Sequence, residues 1–118
     1  MIIVNNTEKQ QLVVEMLNTY TATVDLENVL WLGNNPKDAT RVEKKNDEME
    51  QKIKVLRGEL WADWTGSADA LTQQIQARNA DLDNSINILK ADVHDAEQVV
   101  KVLSYVDEVI GVAASLLV

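Results

Sequence analysis

The sequence predicts an all-α fold, either an up-down helical bundle or an elongated antiparallel coiled coil of three to four helices. The 118 residues include only four glycines and one proline. Apolar residues recur at steps of three and four along most of the chain, and no stretch alternates with the period of two that strands require. A chain of this length is expected to form one helical domain, 1–118, with a modest core.

The first helix is predicted from Thr7 to Leu32. Thr7 is followed three residues later by Gln10, a capping-box pattern that marks a helix start. The apolar residues of this helix come in adjacent pairs, so its apolar stripe is wider than a two-stranded coiled-coil seam. We therefore expect this helix to contact two neighbours.

A turn is predicted after Trp31-Leu32-Gly33. Gly33 suits the left-handed position that follows the last turn of a helix, and Pro36 can begin the next helix because its missing N–H needs no partner there. The second helix is predicted over 36–64. Its seam is thinner and contains Asn46, which is expected to set the register of packing, and its outer face is densely charged and expected to be solvated.

The remaining segment, 67–117, continues the three–four rhythm with no glycine or proline before Gly111. Unbroken, it would measure about 78 Å, whereas the second helix measures roughly 42 Å and can cover only half of it. Two alternatives follow. The segment breaks near residues 90–94, where Asp92 and Asp95 resemble a helix start, or it stays straight and its apolar second half packs on the first helix or on another subunit.

The most apolar part of the chain lies in the second half of this last segment. Because such a surface is not expected to remain in water, it predicts a contact with a partner helix or with a second copy. The candidate interface residues are Val93, Val100, Leu103, Val106, Ile110 and Leu117.

A second turn is predicted at Leu60–Leu71. Trp64 is expected to pack across it, with Gly66 after the last helical turn and Ser67 capping the next helix. Trp61 lies one turn before Trp64 and off the seam, so it is either exposed at a recognition tip or covered by the first helix. With helical periodicity on both sides, Trp64-Thr65-Gly66 resembles the Trp-x-Gly family of small helical hairpins exported by type VII secretion.

The resemblance covers about residues 38–109. It implies an antiparallel hairpin that pairs with a similar partner into a four-helix dimer. The family's export signal, a tyrosine followed four residues later by an acid, is not matched at Tyr105, which is followed by Val109. Trp31-Leu32-Gly33 repeats the Trp-x-Gly pattern, and helix capping accounts for both copies.

The formal net charge of −8 argues against binding to nucleic acid. Cysteine is absent, which excludes disulfides and thiolate chemistry. His94, the single histidine, lies among acids, but a two-metal site in a helical bundle needs Glu-x-x-His pairs from two helices. We therefore expect no enzymatic activity, no cofactor and no metal.

These observations predict a non-enzymatic helical module that self-associates or binds a helical partner protein, with a role in type VII secretion implied by the resemblance. One alternative is an acidic inhibitor or immunity-type protein that binds a basic partner. Another is a membrane-active helical component, although membrane insertion is not expected from these short apolar runs. No cleavable signal peptide is visible at the start, so the protein is expected in the cytoplasm or exported without such a leader.

Overall fold

The computed structural model describes residues 6–58 and 68–116, with side chains described within 10–56 and 70–115. These residues form four helices: α1 (Asn6–Leu32), α2 (Pro36–Gly58), α3 (Ala68–Ala91) and α4 (Ala96–Leu116). The predicted all-α bundle is therefore confirmed. The predicted second turn, with Trp61, Trp64, Gly66 and Ser67, lies outside the described residues, as do Leu117 and the side chain of Thr7.

Helix α1 ends in a Schellman motif. The amide of Asn35 donates to the carbonyl of Leu30 at 2.8 Å, and the amide of Asn34 donates to that of Trp31 at 3.2 Å. Asn34 takes the left-handed position, with a φ of 59°. The prediction of Gly33 for this position is wrong, because asparagine also tolerates the left-handed region and stands one residue later.

Gly33 instead allows a close approach between two turns. A Cβ atom on Gly33 would lie 2.7 Å from both methyl carbons of Val93, in the turn between α3 and α4. Beside this contact, Asn35 Nδ2 donates to the carbonyl oxygen of Val93 at 2.7 Å. The two turns therefore meet at one end of the bundle, and the small size of residue 33 is a packing requirement.

Substituting Gly33→Ala should lower the free energy of unfolding by about 1–3 kcal/mol, because the added methyl group overlaps the Val93 side chain. Urea denaturation would measure the loss, and Val93→Ala in the same chain should restore part of it. Gly111→Ala is the matched control. A Cβ there meets no atom within 4 Å, so this change inside a helix should stabilise the protein by about 0.5–1 kcal/mol. Equal effects at the two glycines would contradict the close approach.

The last predicted segment breaks between α3 and α4. Asp95 caps α4, since its side-chain Oδ1 accepts from the amide of Gln98 at 3.2 Å and its carbonyl accepts from Val99. Just before it, the carboxylate of Asp92 accepts from the amide of His94. Of the two alternatives, the break near 90–94 is correct and the continuous rod is wrong, because these aspartates satisfy the amides that a new helix start leaves free.

The two hairpins, α1–α2 and α3–α4, pack side by side. Helix α1 lies next to α2 and α3, and α4 lies next to the same two helices. Cross-helix contacts show that α1 and α3 run parallel: Glu15 meets Asn79, and Asp25 pairs with Lys90 further along both helices. The resulting bundle is elongated, with principal extents of 55, 21 and 18 Å.

The core is an apolar column contributed by all four helices. Its largest fully buried side chains are Leu12, Met16, Leu26, Leu30, Val42, Met49, Leu56, Ile75, Leu82, Leu89 and Val99. The paired apolar residues of α1 fit its contacts with two neighbours, as predicted from the width of its stripe.

A polar layer interrupts this core between α1 and α3. Glu15 is 9% exposed and forms no ion pair with any described side chain. Its carboxylate accepts from Asn79 Nδ2 at 3.2 Å and from Gln76 Nε2 at 3.3 Å. The fully buried Thr19 donates its hydroxyl to Asn79 Oδ1. Amide side chains thus hold an acid inside the bundle and fix α3 against α1.

Candidate functional site

Helix α4 has two apolar stripes, and only one of them is buried in the core. The buried stripe consists of Val99, Val102, Val106, Val109, Val112 and Ala113. The second stripe consists of Val100, Leu103 and Ile110. Val100 is 57% exposed and the other two are half-buried. A helix with two apolar stripes can hold its own bundle together and still present apolar surface to a partner.

The structure divides the predicted interface residues among three environments. Val106 belongs to the core, with 1% of its surface exposed. Val93 lies in the turn against Gly33, half-buried. The second stripe of α4 holds the rest of the described set. Each step of three residues falls roughly 60° short of a full turn, so the two successive steps from Val100 to Leu103 and on to Val106 bring Val106 round to the core side of the helix.

An open groove of about 530 Å³ runs between α2 and α4 beside this second stripe. Its α4 wall consists of Val100, Leu103, Ser104 and Asp107, and its α2 wall of Arg41, Lys44, Lys45 and Glu48. We call this surface the α2/α4 groove. It combines the exposed Val100 and the half-buried Leu103 with three cations and two acids, in a chain whose formal net charge is −8.

The cations of the groove differ in how far they are already neutralised. Lys45 Nζ lies 2.6 Å from Asp107 Oδ1 and 3.8 Å from Glu48 Oε1, and the hydrogen bond with Asp107 raises the pKa of Lys45. Arg41 pairs with Asp38 at 3.1 Å. Lys44 forms no ion pair within the described parts of the chain. The groove therefore suits an apolar group flanked by carboxylates, which could engage Lys44 and share Arg41.

The sequence pattern did not predict the basic wall of the groove. The charged face of α2 was expected to be solvated, and some of its charges do pair along the helix, as Lys54 does with Glu50. The cations at Arg41, Lys44 and Lys45 nevertheless follow helical spacing on one side of α2. That clustering was the available signal, but its significance depends on which face of α4 lies beside it.

The other predicted residues lie away from the groove. Asn46 is 3% exposed and donates to the Thr23 carbonyl at 3.3 Å and to Glu27 Oε1 at 2.9 Å, so it connects α2 to α1 as a register-setting residue would. Trp31, beside the first turn, is 45% exposed and Leu32 is 89% exposed.

His94 is exposed in the turn before α4. Over the ranges 6–58 and 68–116, no three histidine or acidic side chains are grouped as a metal site would require. Within the same ranges, no helix combines the length and the apolar character needed to cross a membrane.

The groove is open to solvent, and its walls come from two parallel helices. Comparison of the chain with protein-family models, with curated proteins and with solved structures finds no match.

Proposed function

We propose that this chain is a non-enzymatic helical interaction module that binds a partner helix in the α2/α4 groove. The observation that carries the proposal is the second apolar stripe of α4, where Val100 is exposed and Leu103 and Ile110 are half-buried, beside a basic wall. Val100 is 57% exposed on a helix whose core-facing residues are fully buried, so its burial is left to a partner. Apolar anchors surrounded by charged side chains are the usual composition of such contacts.

The preferred partner is an amphipathic helix with acidic residues next to its apolar face. Arg41, Lys44 and Lys45 line the groove, and complementary charge across an interface accelerates binding and selects the partner. The same cations argue against the alternative of an acidic inhibitor that would use this surface on a basic enzyme. The Trp-x-Gly resemblance adds type VII secretion to the proposal as a cellular setting.

Two synthetic helical peptides would test the proposed function. Both carry leucines on one face; one has flanking glutamates and the other has flanking lysines. We expect the glutamate peptide to bind the full chain, measured by fluorescence anisotropy of a labelled peptide, and the lysine peptide to bind about tenfold more weakly or not at all.

Val100→Asp should weaken binding of the glutamate peptide roughly tenfold, because it places a carboxylate in the apolar part of the groove. Val14→Asp is the matched control: it adds the same charge at a valine that is 47% exposed on α1, a helix that contributes no residue to the lining of the groove. Equal binding of the two peptides, or equal losses for the two variants, would exclude the groove as the binding surface.

A further inference from the structure

Helix α2 separates its charges into two edges. The edge facing α4 carries four cations and one acid: Arg41, Lys44, Lys45, Lys52 and Glu48. The ion pair between Lys45 and Asp107 of α4 shows the direction of this edge. The edge facing α1 carries three acids and one cation: Glu43, Asp47, Glu50 and Lys54. Its direction is shown by the carboxylate of Glu50, which lies next to the hydroxyl of Tyr20 on α1. Helix α2 therefore has mainly basic residues along one edge and mainly acidic residues along the other.

An apolar stripe on α1 lies beside the acidic residues of α2. Leu17, Val24 and Trp31 are seven residues apart and share one helix face. Leu17 is 36% exposed, Trp31 is 45% exposed and Val24 is half-buried. Val24 and Trp31 stand one turn after Tyr20 and Glu27, whose side chains bond to α2, so the stripe lies on the side of α1 that faces α2.

These residues make a second surface with the opposite charge to the groove. We call Leu17, Val24 and Trp31, together with Glu43 and Asp47, the acidic edge. Glu43 and Asp47 are exposed and form no ion pair among the described side chains. The acidic edge has the chemistry that the α2/α4 groove selects: apolar side chains along a helix, with carboxylates next to them.

We infer that the partner of the groove is the acidic edge of a second copy of this chain, an inference that rests on the proposed function. The two surfaces lie on different sides of α2, so the contact is heterologous, and a pair of copies keeps one free groove on one copy and one free edge on the other. Such contacts produce rings where the rotation closes and open filaments where it does not. Because the rest of the surface is acidic, two copies repel each other unless the groove faces the edge.

Two charge-reversed variants test this inference in the full-length chain. R41E/K44E reverses two of the three cations of the basic wall, and E43K/D47K reverses the two acids of the acidic edge. Analytical ultracentrifugation of the natural chain should show assemblies larger than a dimer that grow with concentration. They should dissociate between about 0.1 M and 1 M NaCl, where the Debye length falls from about 10 Å to about 3 Å. Each variant alone should associate at least about tenfold more weakly.

Mixing the two variants gives the most specific outcome. The groove of E43K/D47K can still accept the acidic edge of R41E/K44E, and the two reversed surfaces are again opposite in charge. The mixture should therefore regain assembly beyond a dimer, with the two variants alternating, although each variant alone associates weakly. The control D83K/E97K makes the same charge change as E43K/D47K on exposed residues of α3 and α4, and it should assemble like the natural chain.

Other results would overturn the inference. A natural chain that stays monomeric while binding the glutamate peptide would exclude the second copy and leave the proposed function intact. A closed dimer that R41E/K44E disrupts and E43K/D47K does not would exclude the acidic edge. Assembly in which neither variant has an effect, with no binding of the glutamate peptide, would exclude both the inference and the proposed function.

Discussion

Val106→Asp is expected to unfold the bundle, whereas Val100→Asp is expected to leave it folded. The two valines lie on the same helix, six residues apart, and the substitution is the same. Val106 is 1% exposed among apolar side chains, and Val100 is 57% exposed. A carboxylate at Val106 would either stay charged without a partner or take up a proton, and each costs several kcal/mol.

That cost is large compared with the whole stability of a small domain, which is about 5–15 kcal/mol. We expect Val106→Asp to lower the free energy of unfolding by at least about 4 kcal/mol and to reduce the helical circular dichroism signal at room temperature. Val100→Asp should change the free energy by less than about 0.5 kcal/mol, as surface substitutions usually do. A folded Val106→Asp variant with an unchanged urea midpoint would show that the assignment of the two α4 stripes is wrong.

Asn79→Leu should destabilise the protein by about 3 kcal/mol. Asn79 donates to the Glu15 carboxylate at 3.2 Å and to the Glu15 carbonyl at 3.0 Å, and it accepts the hydroxyl of Thr19. Leucine has a similar shape but removes all three bonds, which leaves a nearly buried acid with fewer donors. Removing one member of a buried polar group costs more than the bond itself contributes, because the other members lose water and gain nothing.

A combined variant isolates this effect from packing. Glu15→Met, Thr19→Val and Asn79→Leu together replace the polar layer by apolar side chains of similar size, and this chain should unfold within about 1 kcal/mol of the natural one. Urea denaturation of the single and combined variants would measure both values. If Asn79→Leu alone were as stable as the natural chain, water would have to reach Glu15, and the layer would not fix α3 against α1.

Much of the fold could be predicted from the sequence because capping residues close to each helix end determine where the helix begins and ends. Pro36 begins α2, and Asp95 provides the cap that breaks the last segment. Capping of this kind needs only the residue and its near neighbours in the chain. The exact role of Gly33 could not be predicted in the same way, because the atom that excludes a side chain there belongs to Val93, far along the chain.

The candidate site was harder to predict. Val100 and Leu103 were recognised as apolar residues in need of a partner, and they do line the groove. Val106 was grouped with them, but it is buried in the chain's own core. The last helix is apolar over more than half of its circumference, so periodicity allows more than one line of contact. Only the position of α2 and α3 beside α4 decides which line is used.

The sequence by itself determined that the chain is helical, that α2 begins at Pro36, and that more apolar surface exists than a short hairpin can bury. These properties depend on interactions over one or two turns. The tertiary structure alone decided that α2 lies beside α4, which brings Arg41, Lys44 and Lys45 next to Val100, and that α1 lies beside the acidic side of α2. Charges and apolar stripes on separate helices become a surface only when packing sets them side by side, and that packing depends on complementary shapes of residues distant in the chain.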